Sequence, residues 1–309
     1  MSTVSTLPRR GSLPTYAAEP DWQYEEAFCR HRGLLSERAQ ARLRRSRIAV
    51  AGLGGVGGIH VATLARLGIG AFHLADRDRF EVANFNRQHG ATLDTVGQSK
   101  AVVLARAARA INPSLDLRVF NEGVDASNVD EFLEGADVYV DGIDFFAIET
   151  RRLLFREARR RGIWAVTAGP LGFSTAWLVF SPTGLSFDDY FDLHDGQTRL
   201  QQLVAFAVGL APRATHLRYL DLMHVDLRSG RGPSAGLACQ LCAGVIAAEI
   251  VKILLGHDGV RAAPCYFQFD AYRHVFRQGR LRGGNRHPWQ RFKRWWLERR
   301  FRSENSQHA

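Results

Sequence analysis

The chain is poor in cysteine: Cys29, Cys239, Cys242 and Cys265 are the only four in 309 residues. Their spacing shows no disulfide framework, which excludes a stapled secreted scaffold and suits a reducing cytoplasm. The N-terminal stretch, Met1 to Pro20, is polar and rich in Ser, Thr and Pro, so it lacks the apolar core of a signal peptide and reads as the main part of a disordered arm over 1–21. A long unbroken apolar run is also missing. The most apolar segment, Ala235 to Leu255, is interrupted by Gln240, Glu249 and Lys252, so it reads as a buried helix and not as a membrane span.

What is present is an ordinary globular balance, 46% hydrophobic and 23% charged, in a chain long enough for one large or two modest domains. The net charge of +10 sits in two flanks. Arg280 to Arg302 carries nine Lys/Arg against Glu298, and Arg30 to Arg47 carries seven Arg against Glu37, so the remainder is slightly acidic. The basicity therefore belongs to two faces, solvated or turned to an anionic partner.

The rest is organised around Arg47 to Gly58, RIAVAGLGGVGG. Ile48 to Ala51 predicts a short buried strand, Gly52, Gly54 and Gly57 fall at G-x-G-x-x-G spacing with Gly55 between them, and His60 to Leu67 predicts a helix. Such a turn lets backbone approach a phosphate while the helix N-terminus aims free N–H groups at it. Asp76 closes the next predicted strand, Ala71 to Ala75, 19 residues beyond Gly57, where a nucleotide-binding βαβ unit places a ribose-binding carboxylate. A polar stretch, Asp78 to Gln88, then holds Asn84 and Arg87, and Lys100 opens a helix ending at Ile111. A cation at a helix N-terminus opposes the dipole and calls for an anion, which a phosphate would supply. Strands over Leu115 to Phe120, Ala136 to Val140 and Ile163 to Thr167, with helices over Asn128 to Leu133 and Glu149 to Arg161, complete a β-α rhythm. The expected fold is α/β, doubly wound and Rossmann-like, its mostly parallel sheet extended in the second half by antiparallel strands from Gly169 to Pro182 and Tyr266 to Ala271. Two cations with acidic and amide groups at strand ends suit a nucleoside triphosphate with a metal ion, a polyanion clamp that hydride transfer does not need.

These pieces together resemble the ThiF/MoeB/HesA superfamily of ubiquitin-activating-enzyme-like adenylyltransferases. The match consists of G-L-G-G-V-G at Gly52 to Gly57, Asp76, N-F-N-R-Q at Asn84 to Gln88, Val96-Gly97-x-x-Lys100, Ile111-Asn112-Pro113 and Asp141-Gly142-Ile143-Asp144. It runs over roughly residues 24–170 and resumes more loosely at Gly236 to Gly256. The resemblance implies a cytoplasmic homodimer that uses ATP and Mg²⁺ to adenylate a carboxylate on a small carrier protein or peptide. By position, Asp76 would hold the ribose, Asn84 and Arg87 the triphosphate, Lys100 the α- and β-phosphates and Asp144 the magnesium. Arg30 resembles an arginine that reaches into the partner subunit's ATP site. The family's two C-x-x-C zinc pairs are not matched, so no structural zinc is expected, and Cys239-x-x-Cys242 reads as core. Phe187 to Pro233 holds no cysteine, which speaks against a thioester step.

The expected organisation is an adenylation domain over 22–280, its ATP half at 47–170 and its substrate half at 171–280, followed by a basic amphipathic tail at 281–309. Asp188, Asp189, Asp192, His194 and Asp195 interleave with Phe187, Tyr190 and Phe191, which favours an acidic surface loop anchored by aromatics over a metal site. His216, His224 and Asp226 read as ordinary structure, and Gly230 to Pro233 as a hinge-like loop. The tail suits its own domain, a protein partner, RNA or an anionic membrane surface. The alternatives are a tRNA-modifying enzyme of the TcdA type, a non-catalytic nucleotide-binding scaffold and a Rossmann-type oxidoreductase.

Overall fold

The structure is a computed structural model that describes residues 21–225 and 232–306, with side chains to 301. The readings made for residues 1–20, for Asp226 and for Gly230 lie outside the described residues.

Strands β1 (Arg47–Ala51), β2 (Ala71–Ala75), β3 (Asp116–Phe120), β4 (Val138–Asp141), β5 (Trp164–Leu171), β6 (Ser174–Phe180), β7 (Cys265–Asp270) and β8 (Val275–Arg280) form one sheet in the order β3-β2-β1-β4-β5-β6-β7-β8. The first five are parallel and the last three antiparallel. β1, β2 and β4 are buried on both faces, so their sequences are continuous apolar runs. Within them side chains still alternate. Ile48, Val50, Val138 and Val140 join one core, and Ala49, Ala51 and Tyr139 join the other.

The first core is covered by α3 (Gly57–Arg66), α4 (Lys100–Ile111) and α9 (Gly236–Leu254). Helix α9 is apolar and long enough to cross a membrane by length and composition, with a mean hydropathy of 1.9. It lies against α3, β5 and β6, and buries Cys239, Cys242, Ile246 and Ile250, so its apolarity is that of a core helix. The second core is covered by α5 (Val129–Leu133), α6 (Ile148–Arg160), α7 (Phe187–Phe191) and α8 (Arg199–Leu210).

Before β1, where the sequence from Trp22 to Ser46 is helical in pattern, the chain forms α1 (Tyr24–Ala27), a 3₁₀ turn (Cys29–His31) and α2 (Glu37–Arg44). The break falls at Gly33, whose φ of +94° no helix accommodates. Ser36 caps α2, accepting from Ala39 N–H at 3.1 Å. Three elements went unpredicted, among them α7, whose residues Phe187 to Phe191 were expected to belong to an acidic surface loop. Strand β8 is mostly exposed and so lacks an apolar alternation, and α8 sits in a stretch to which no element was assigned, although Thr198 and Gln201 form a capping box at its start.

The segment read as a tail is α10 (Pro288–Ser306), preceded by buried Gly284 and Asn285. It packs on α8 through Gln290, whose amide donates to Val208 O at 3.0 Å, and is tied to α7's end by Arg294, 2.7 Å from Asp192. Trp289, Phe292 and Trp295 stay about half exposed on its outer side, and Trp296, similarly exposed, borders a crevice that α8 also lines.

Candidate active site

The chain leaves β1, crosses through α3 to β2 and through α4 to β3, then returns to β4 on β1's other side. Parallel sheets open a crevice where strand order reverses in this way, outside the carboxyl ends of the central strands. Here that crevice is about 1030 Å³, at the upper end for a ligand pocket.

Its floor is a contact of backbone on backbone. Gly52 turns at φ +78°, and a Cβ on Gly52, Gly57 or Gly142 would collide with a neighbouring carbonyl: that of Gly142 for the first, that of Gly52 for the other two. Three glycines therefore bring the β1–α3 loop and the β4 end together. Gly54 and Gly55 face the opening beside Gln88 and Arg87.

Asp76 ties that floor down. Its carboxylate accepts from Leu53 N–H at 2.5 Å and Asp78 N–H at 2.8 Å, and burial raises its pKa while those two donors counter the rise. Lys100 opens α4 with its side chain nearly buried, and its Nζ lies 3.1 Å from Asp78 Oδ2, on a carboxylate 60% exposed. The anion expected for Lys100 is thus supplied within the chain, on the crevice wall. Asn84 is buried and its Oδ1 caps a 3₁₀ turn by accepting from Glu81 N–H at 3.0 Å. Arg87 reaches back to Ala83 O at 2.9 Å and Asn86 Oδ1 at 3.0 Å, and Asn86 is itself held to the start of α9 by a bond to Ser234 O. Asp144 is exposed at the rim. One of its oxygens accepts from Phe146 N–H at 2.9 Å, and the other makes no hydrogen bond among the described residues.

Asp76, Asn84, Arg87, Lys100 and Asp144 therefore line one crevice with Gly52, Gly54 and Gly55, while Gly57 shapes its floor. Arg30 is exposed on the 3₁₀ turn and is not among the residues lining it.

Sequence reasoning missed three parts of the crevice. Asp141 and Arg151 form a buried ion pair at 2.8 Å; Thr167 and Ile143 N–H also donate to Asp141, and the guanidinium lies 4.4 Å from the Phe206 ring centre. Arg151 lies in the helix expected over Glu149 to Arg161, one of several arginines there that the sequence does not set apart. His216, read as ordinary structure, is a buried lining residue whose pKa burial lowers to about 4. Helices α8 and α10 wall the far end, through Leu203, Phe206, Lys293 and Trp296 among others.

The glycine cradle, which a Cβ would fill, fits a phosphate chain. No group of three or more His, Cys, Asp or Glu that would hold a metal by itself occurs among the described residues. A lone carboxylate such as Asp144 fits Mg²⁺, which is usually bound through one or two carboxylates plus substrate phosphates. The acidic segment around α7 is taken up by arginines: Arg152 contacts Asp188 at 3.0 Å and Asp195 at 2.9 Å, and Arg286 contacts Asp189 at 2.9 Å. Burial raises the Cys239 thiol to about 11 and pushes Cys242 up as well, as suits core cysteines.

A doubly wound sheet with a glycine-floored, polyanion-shaped crevice at its switch point defines a nucleotide-binding enzyme of the Rossmann-like class. The sequence profile of the ThiF family matches residues 28–288, and the chain belongs to that family. Over 153 residues it is 35% identical to a tRNA threonylcarbamoyladenosine dehydratase of Haemophilus influenzae, covering 49% of this chain and 58% of that protein. Over 129 residues it is 32% identical to a sulfur carrier protein adenylyltransferase of Thermus thermophilus, covering 40% of this chain and 48% of that protein. The chain thus spans only about half the length of these relatives. The solved structure of the Escherichia coli tRNA N6-threonylcarbamoyladenosine dehydratase, TcdA, superposes with a TM-score of 0.56 at 26% identity, covering 75% of this chain and 95% of that one.

Proposed function

We propose that the protein adenylates a carboxylate. An oxygen of the acid bonds to the α-phosphorus of ATP, the bond from that phosphorus to the bridging oxygen breaks, and its electron pair leaves with pyrophosphate. The observation that carries this reading is the meeting of Asp76, Asn84, Arg87, Lys100 and Asp144 above one glycine floor. In this reading the loop from Gly52 to Gly57 cradles phosphate, Asp76 orients the ribose, Asn84 and Arg87 hold the triphosphate, and Lys100 turns from Asp78 toward the α- and β-phosphates. Asp144 would hold Mg²⁺, which supplies neutralisation of phosphate charge. These groups position and stabilise charge, and no protein nucleophile is required. The working unit is a homodimer in the cytoplasm, with Arg30 serving the partner's crevice, since it stands outside its own.

The acid we favour is the C-terminus of a peptide or small carrier protein, as the name of the Thermus relative suggests. A second reading, activation of a carboxylate on a tRNA base, is favoured by the dehydratase relatives and by the Arg/Lys-rich sequence of α10. RNA binding would then fall steeply with salt and with removal of residues 280–309. The test is ATP–pyrophosphate exchange with peptides or tRNA in the presence of Mg²⁺. Exchange that depends on one substrate class and drops at least about a hundredfold in Asp144→Ala is the expected result. ATP binding without exchange toward any substrate would favour a scaffold, and tighter binding of a nicotinamide cofactor than of ATP would favour an oxidoreductase.

A further inference from the structure

The crevice continues past the nucleotide end, and its chemistry changes on the way. Beyond Gly169 to Leu171 at the end of β5, the walls become Leu203, Phe206, Leu210, Leu217, Trp296 and Leu297, from α8, the turn after it and α10. Both basic side chains that reach this half are engaged. Arg151 is paired with Asp141 at 2.8 Å, and Lys293 Nζ donates to Pro212 O at 2.6 Å and Gln290 Oε1 at 2.9 Å. His216 is buried, with Nδ1 3.5 Å from the Gln268 amide. What this half offers a ligand is therefore apolar surface.

The wall is also built in advance. Asn285 donates to Phe191 O and Ala205 O, Gln290 to Val208 O, and Arg294 pairs with Asp192, so α10 is fastened along the side that closes the crevice. A preformed apolar chamber continuous with the phosphate cradle suits the part of the acid that lies next to its reacting carboxylate.

From this we infer that the far half is an acyl-side subsite for bulky apolar groups, so the acid adenylated is a peptide ending in apolar residues and not in glycines. This rests on the adenylation reading above. A glycine tail would leave the chamber unfilled, whereas leucyl or phenylalanyl side chains would be removed from water there.

The test uses the full chain and ATP–pyrophosphate exchange with two peptide pools of equal length, one ending in Leu/Phe pairs and one in Gly-Gly, with tRNA as a third substrate. The apolar pool is expected to show a kcat/KM at least about tenfold higher. Ala207→Trp, which fills the chamber from α8, should remove that preference by raising KM, and Leu297→Asn on half-buried α10 should do so more mildly. ATP binding measured on the same proteins separates these effects from misfolding. Equal exchange, or a preference for glycine, would overturn the apolar subsite and leave adenylation standing. Exchange with tRNA alone would overturn the peptide assignment. ATP binding without exchange toward any of the three would overturn the adenylation reading and this inference with it.

Discussion

Gly57 has no room for a methyl group, because a Cβ there would sit inside the carbonyl of Gly52. Gly57→Ala must move β1 or α3, so we expect a loss of more than about 2 kcal/mol in denaturant unfolding and no measurable ATP binding. A normal unfolding midpoint would show that the two segments are not in contact. Arg151 poses a different problem, since removing it strands Asp141 in the interior. Arg151→Met should cost about 3–5 kcal/mol, checked by the same titration, and an unchanged midpoint would mean that Asp141 is not buried as described. Lys100 is the contrasting case. Its partner Asp78 is largely in water, so Lys100→Met should cost little stability while weakening ATP binding at least about tenfold in calorimetry. Unaltered ATP affinity would remove Lys100 from the phosphate site.

Among the elements, α10 is the one whose placement matters most to the crevice. Asn285 sits fully buried just before it and supplies donors to two carbonyls, at 2.9 and 2.7 Å, from α7 and α8. Asn285→Ala leaves both without that donor, at a cost of about 1–3 kcal/mol, and should loosen α10. Limited proteolysis within 288–301 should then accelerate, and an unchanged cleavage rate would mean that α10 is held by other contacts. The sequence marks this segment as a basic amphipathic tail. It could not say which side would be buried, because the partners of Gln290 and Arg294, Val208 on α8 and Asp192 after α7, meet them only in the folded chain. Helix α8 was missed because its apolar residues have no clear polar face and are buried nearly all round, between the sheet and α10. Elements with strong local signals were legible to within a residue or two. Ala71 to Ala75 and Lys100 to Ile111 coincide with β2 and α4.

Across the whole molecule, three buried histidines, His60, His73 and His216, whose pKa burial lowers, set a pH dependence. Burial lowers His60 to about 3 and His216 to about 4, so both are neutral in the folded chain where the unfolded chain, with an ordinary histidine near 6.5, takes up protons. The stability these groups contribute is fully present above pH 6.5 and is lost as pH falls from there toward 4, at up to about 1.4 kcal/mol per pH unit for each. His60 makes no hydrogen bond through either ring nitrogen, so His60→Leu should lower the slope of stability against pH between 6 and 4.5, by up to about 1.4 kcal/mol per pH unit. A slope unchanged by that substitution would show that His60 does not carry it.

The sequence by itself determined what depends on neighbours in the chain: the run of parallel strands, the glycine turn into α3, the acid closing β2 and the cation opening α4. Each follows from residues a few positions apart, whose backbone preferences and periodicity act locally. Only the tertiary structure decided what depends on partners far along the chain. Gly142 met Gly52, Asp141 found Arg151 and Thr167, Asp78 took Lys100, and α8 with α10 closed the far half of the crevice. Such pairings are fixed by burial and by the need to neutralise charge taken out of water, and nothing in the spacing of one segment encodes which distant segment will satisfy them.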